Sequence, residues 1–216
     1  MCQRYIQTSD LALLQECLAF FGESESMPRH NIRPAQQVPV VCQLDGENRL
    51  TSMRWGMADA LITDLDARLL MRTGQGLQQR CLIPADGFYE CERRANRRLQ
   101  PWLVRLIEDG PFCFAGLWEA DKGEGPQREI DQSYSCALLT VPDNGTITPI
   151  ASQVPVILAQ QDYAAWLDPA TSLADINSLL KPYRESGIYW HPVDAAILAT
   201  EIDTASLAEP AQLVAA

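Results

Sequence analysis

The chain places a cysteine directly after its first methionine. A small residue there permits removal of the methionine, which leaves Cys2 with a free α-amine beside its thiol. Such a 1,2-aminothiol carries two nucleophiles on adjacent carbons. With pKa values near ~8 and ~8.5, both are partly unprotonated at neutral pH. Toward an aldehyde, the amine forms a Schiff base and the thiol closes it into a five-membered thiazolidine. Toward an acyl carbon, the thiol attacks with the amine as base. A lone cysteine at residue 2 is more often incidental than reactive, so the reading needs support elsewhere in the chain.

The segment RCLIPADGFYEC, residues 80–91, offers some. It puts Glu90 at the end of a strand-like run, after Gly87, where a glycine lets the backbone turn sharply. Flanked by Phe88, Tyr89 and Cys91, the carboxylate is expected to lose solvent and rise in pKa, as a general acid or base requires. The plainer alternative is a strand-end glutamate facing water. Arg68, Arg72 and Arg80 form a candidate cleft lining, whereas ERRANRR, residues 92–98, reads as a solvated hairpin loop. Trp102 and Trp118 read as core, and so do Cys17, Cys42, Cys81, Cys113 and Cys136. His30 and His191 read as structural. Seven cysteines without a C-x-x-C pair and only two histidines argue against a metal site and against a disulfide framework. No glycine-rich phosphate loop or Ser-His-Asp pattern is present, so no cofactor is expected.

The elements that must position these residues belong to a chain of 216 residues, 47% hydrophobic and 21% charged. That suits one domain with a sizeable core. No apolar run approaches the roughly 20 residues that span a bilayer, and the N-terminus lacks a secretory core, so a reduced cytoplasmic protein is expected. The net charge of -11 is unevenly spread: residues 1–105 balance at +1, residues 106–216 at -12. Fifteen of the 17 basic residues are arginine, the planar fork that grips phosphate. A nucleic-acid surface therefore belongs in the first half, although the overall field opposes DNA.

Helical spacing predicts a helix from Ser9 or Asp10 to Phe21, stopped by Gly22. Strands are expected over Val38–Leu44 (Pro39 placing it at an edge), Leu50–Trp55, Cys81–Cys91, Trp102–Ile107, Pro111–Trp118, Tyr134–Val141 and Val154–Leu158. Turns fall at Asp45-Gly46 and Asp109-Gly110, and short helices at Asp162–Leu167 and Asp175–Leu179. The stretch after Thr200 is Ala-rich, acidic and expected to fray. The sum is a single β-rich α+β domain over residues 1–200, with antiparallel sheets and flanking short helices, followed by a tail, 201–216.

From Met1 to about Val193 the chain resembles the SRAP family of abasic-site processing proteins. The resemblance rests on Cys2 and Arg4, on Asn31 and Pro34, on Trp55-Gly56, and on Asp66 to Arg68. It continues in IPADGFYE ending at Glu90, FAGLWE at 114–119, LLTVPDN around Thr140, PVIL at 155–158 and WHPV at 190–193. It implies a monomer that binds single-stranded DNA at an abasic site and joins Cys2 to the sugar aldehyde as a thiazolidine, shielding the lesion. A peptidase label comes from the family's N-terminal self-processing. By this resemblance Cys2 is the nucleophile and Glu90 the acid/base group, with Asp66 as a second carboxylate at the catalytic centre. Arg4, Asn31, Pro34, Arg68 and Thr140 would face DNA.

The chain departs from the family pattern at several points. Asp66 stands where the family has asparagine, and Leu70 where it has glutamate. Ala151 replaces a histidine assigned to sugar-ring opening and crosslink reversal, and Gln153 an arginine. The aromatic wedge after Trp55-Gly56 is missing, with Leu61 and Ile62 nearby. These losses make a binding module without crosslinking the alternative. An amidotransferase-like use of Cys2 finds no second motif.

Overall fold

The computed structural model describes residues 4–10, 12, 15, 20, 27–57, 60–73, 77–95, 97–108, 110–120, 134–145 and 151–212. Cys2, Cys17 and Asp109 lie outside them, as does most of the helix expected from residue 9. Of that helix, Ala12 and Gln15 are helical, and Asp10 accepts a hydrogen bond from Ala12 N (2.9 Å) in the manner of a cap.

Two sheets carry the fold, as the α+β reading expects. The first is five-stranded and antiparallel. It contains β1 (Tyr5–Gln7), β2 (Arg29–Ile32), β7 (Gly87–Arg93), β8 (Leu99–Leu106) and β13 (Ile188–Pro192), in the order β13-β8-β7-β1-β2. The second, eight-stranded, contains β3 (Gln37–Leu44), β4 (Glu47–Trp55), β5 (Asp64–Asp66), β6 (Arg80–Ala85), β9 (Phe112–Ala120), β10 (Tyr134–Pro142), β11 (Gln153–Pro155) and β12 (Ile157–Leu158). Long β10 pairs in parallel with β4 and antiparallel with β9, so β10, β4, β3, β6 and β9 close into a small barrel. Closure explains why β6 is buried at every position: one face lines the barrel and the other meets surrounding structure.

Strand alternation divides the core in two. Tyr5, Phe88 and Val104 face the barrel and join the main cluster, while their neighbours Ile6, Tyr89 and Leu103 point outward. Edge-to-face aromatic contacts tie the sheets together: Tyr5 meets Trp55 at 5.1 Å and Phe114 at 5.9 Å, and Phe88 meets Phe114 at 5.9 Å. On the outer face Ile6, Tyr89 and Leu103 are covered by Val193, Ile197 and Leu207 from the C-terminal segment.

Several expectations change. The Cys81–Cys91 run is two strands, not one. It crosses from barrel to sheet at Asp86, whose buried carboxylate accepts from Thr8 N (2.5 Å), Ser9 N (2.9 Å) and Ser9 Oγ. Gly87 is there for space and not for a turn: an added Cβ would lie 2.8 Å from Val104 O. Pro39 lies in an interior strand, tolerated because β3 pairs β6 only at Val41 and Cys42. Val154–Leu158 is interrupted at Val156, whose N–H bonds Leu139 O (2.8 Å). Trp118, half-buried, packs against the main core as expected, whereas Trp102 is half-buried and outside both core clusters. Asp45-Gly46 does form the two-residue hairpin, with positive φ at both positions.

The short helices α2 (Tyr163–Leu167) and α3 (Leu173–Leu179) match the pattern, α3 capped by Ser172, while α1 (Ala67–Thr73) has no counterpart in it. Residues 201–209, expected to fray, carry buried Leu207 and hydrogen bonds to β2.

Cys42, Cys81, Cys113 and Cys136 are buried thiols, as expected. Burial pushes Cys42 and Cys136 up to about 12 and raises Cys81 well above the usual thiol range. These groups stay protonated in the folded chain at pH values where the unfolded chain ionises, so their contribution is complete below about pH 8.5 and is lost as pH rises toward 12. Denaturant titrations should show unfolding free energy level to about pH 8.5 and falling steeply above it. Replacing Cys42 and Cys136 by alanine should flatten that fall by roughly 1.4 kcal/mol per pH unit per thiol.

Candidate functional site

Glu90 sits in the middle of β7, not at its end, and is 1% exposed. Period-2 alternation puts its side chain on the same face as Phe88, toward the barrel. The water-facing alternative is thereby excluded. Its register partner on β8 is Trp102. On the other side runs β1, with Tyr5 opposite Phe88 and Tyr89 N donating to Arg4 O (3.0 Å). The buried carboxylate therefore lies one strand from the chain that leads back toward Cys2. A carboxylate removed from water is suited to holding or releasing a proton.

Arg4 and Asn31 are on the opposite face. Arg4 Nη1 donates to Asn31 Oδ1 (2.5 Å) and Thr200 O (3.3 Å), and Nη2 donates to Leu198 O (3.1 Å). Asn31, 1% exposed, donates from Nδ2 to Ile202 O (2.7 Å) and Thr200 O (3.3 Å). Pro34 opens the turn after β2, in which Gln36 N bonds Arg33 O (3.3 Å) and Ala35 takes φ 68°. Pro at the second position and positive φ at the third are the marks of a type II turn.

A second group gathers on the barrel. Thr140 in β10 is buried, lies between Asp66 and Pro155 in register, and donates through Oγ1 to Leu65 O (3.3 Å). Asp66 is exposed and accepts from Arg68 N (2.8 Å), capping α1. Arg68 and Arg72 stand exposed on α1 one turn apart. Arg80 leaves the expected cleft lining. It is buried beneath Trp166, with Nε on Trp166 O (2.5 Å), Nη2 on Asp168 O (2.6 Å) and Nη1 on Leu77 O. Burial lowers its pKa, which Asp168 partly offsets. Such an arginine is a structural tie, a role that its place at the head of an apolar strand could have signalled.

Thus Glu90 and the N-terminal strand belong to the sheet, and Asp66, Arg68 and Thr140 to the barrel. His191 is structural, its Nε2 3.0 Å from Ala208 O. Among the described residues no cluster of three or more His, Cys, Asp or Glu is arranged for a metal, and no helix is long and apolar enough to cross a membrane.

Comparison with known proteins places this geometry. The model of the SOS response associated peptidase (SRAP) family matches residues 1–200. The chain belongs to the SRAP family. Abasic site processing protein YoqW of Bacillus subtilis is 27% identical to it, over 97% of this chain and 99% of that one. Abasic site processing protein HMCES of Xenopus tropicalis is 25% identical, over 82% of this chain and 64% of that one. Among solved structures, a Bacteroides thetaiotaomicron protein superimposes with a TM-score of 0.81 at 16% identity, over 98% of this chain and all of that one. A phage-related protein of Bordetella bronchiseptica gives 0.71 at 25% identity, over 89% and 94%.

The departures from the SRAP pattern acquire physical reasons in this fold. Aspartate and asparagine cap a helix about equally well, so Asp66 keeps the α1 start that the family's asparagine would give. Leu70 and Ala151, which stand for the glutamate and histidine of the family pattern, are partly buried against the main core. Leu61, at φ 50°, folds over Gly56, where an added Cβ would fall 2.3 Å from Leu61 Cδ1.

The cap predicts a clean ordering. Asp66→Asn should leave the thermal midpoint nearly unchanged, and Asp66→Ala should lower stability by about 1 kcal/mol. Calorimetry on the two variants measures the difference.

Proposed function

We propose that this protein processes abasic sites by binding single-stranded DNA and joining Cys2 covalently to the sugar aldehyde. The observation that carries the reading is the buried Glu90 carboxylate on the strand beside β1, in a chain of the SRAP family. The names of its relatives YoqW and HMCES supply the substrate class.

After removal of Met1, the Cys2 amine adds to C1′ of the ring-opened sugar, giving a carbinolamine. Loss of its hydroxyl as water takes a proton from Glu90 in its acid form, and the iminium so formed returns its N–H proton to the Glu90 carboxylate, leaving a neutral C=N bond. The Cys2 thiol then adds across the resulting C=N bond, its sulfur to carbon and its proton to nitrogen. The products are one thiazolidine and one water, with no oxidant or external group. Arg68 supplies an exposed cation for the flanking phosphate, and Thr140 holds in register β5, the strand that leads into Arg68's helix.

Ala151 cannot move a proton, so reversal depends on other groups and should be slow. A binding module without covalent chemistry is the second reading, favoured by the packing of Leu70 and Ala151 as apolar residues.

Incubation with a single-stranded oligonucleotide carrying one abasic site should give an adduct that survives denaturing electrophoresis. Cys2→Ala should abolish it, and Glu90→Gln should slow its formation 10²- to 10⁴-fold. Equal adduct in Cys2→Ala would overturn the mechanism. Retained binding without any adduct would establish the second reading.

A further inference from the structure

We propose that Arg4 and Asn31 are positioning residues, not phosphate ligands, and that segment 198–203 is the strap by which they hold β1 in place. The structural part stands alone; the consequence for reaction rests on the crosslinking reading above. The Arg4 guanidinium donates to one side-chain amide oxygen and to two carbonyls of the C-terminal segment. Asn31 uses both ends of its amide, accepting from Arg4 and donating to Thr200 O and Ile202 O. The neighbouring groups of β2 repeat the pattern. His30 N donates to Asp203 Oδ1 (2.5 Å), Arg29 Nε lies 3.8 Å from Asp203 Oδ2, and Arg33 Nη1 lies 3.0 Å from Glu201 Oε1.

Two further facts set this strap apart from a DNA surface. It covers the outer face of the sheet, over Ile6 and Tyr89, whereas Glu90 faces the barrel. Its carboxylates also pair Arg29 and Arg33, the cations next to Asn31, so a phosphate approaching this face would meet negative charge and have to displace it. Its acidic half lies beyond residue 200, where the family match ends. The three-residue β1 is short for a strand, and on this face its neighbour Arg4 is its fastening. Because Arg4 follows Cys2 by two residues, the strap fixes where the reacting amine and thiol start from.

The test compares the full-length chain with Arg4→Lys, Arg4→Gln, Asn31→Ala and Asp203→Ala. Hydrogen exchange at the Tyr5 and Ile6 amides should accelerate at least tenfold in all four, since one ammonium cannot serve three acceptors held in a planar fork. Affinity for undamaged single-stranded DNA, and its slope against salt, should stay within error. A lost phosphate contact would instead lower that slope by about 0.7. The adduct rate at saturating abasic DNA should fall in Arg4→Lys as far as in Arg4→Gln. Full rescue by lysine with a reduced salt slope in Arg4→Gln, or unchanged amide exchange, would overturn the proposal. Failure of the unsubstituted chain to form an adduct would sink the crosslinking reading alone, because exchange still reports the strap.

Discussion

Everything on the five-stranded sheet depends on backbone pairing along both edges of β1. Tyr5 meets Ile32 on one side and Phe88 on the other, so the strand nearest the N-terminus is an interior strand. A terminal segment usually frays unless it is tied into a sheet or docked. Here the tie is doubled, and each end is reinforced: Asp86 gathers the Thr8 and Ser9 amides at the exit, and Arg4 is clasped at the entry. The alternation of β1 then sets the division of labour. Tyr5 goes to the core between sheet and barrel, and Ile6 to the outer cluster.

The barrel makes this arrangement stiff. A sheet with open edges could slide in register, but β10 closes the ring and removes the edges of its own set. The same strand also pairs β5 and β11, which fixes Asp66, Thr140 and the approach to Ala151. Contacts from Phe114 to both Tyr5 and Phe88 couple that frame to β1 and β7. At this junction the buried Trp55 Nε1 is tied to Thr63 O (3.0 Å).

Most strands were legible because their patterns are local. The Asp45-Gly46 hairpin follows from turn chemistry alone, and the cysteines follow from their apolar neighbours. What stayed hidden was non-local. Nothing in RCLIPADGFYEC marks Asp86 as a crossing point between two sheets, because its reason lies in the amides of residues 8 and 9. Arg80 and Arg68 read alike in sequence, yet one is roofed by Trp166 and the other stands in water. Asp66 starts a helix that its own sequence, with a β-strand before it, did not announce. Arg4 and Asn31 carry the family pattern, and only the folded chain brings them to the carbonyls of the C-terminal segment.

That segment also sets an order of events during synthesis. The bonds from Arg4 and from His30 to it span 173 to 196 residues, so they form only once nearly the whole chain has left the ribosome. At 5–20 residues per second this is a delay of about 10 to 40 s after the first residues emerge. Throughout that interval Arg4 is without its acceptors, and β1 has only its strand partners to hold it. The clasp on Arg4 is thus a late event of synthesis, and its timing is written into nothing more than which end of the polypeptide supplies the acceptors.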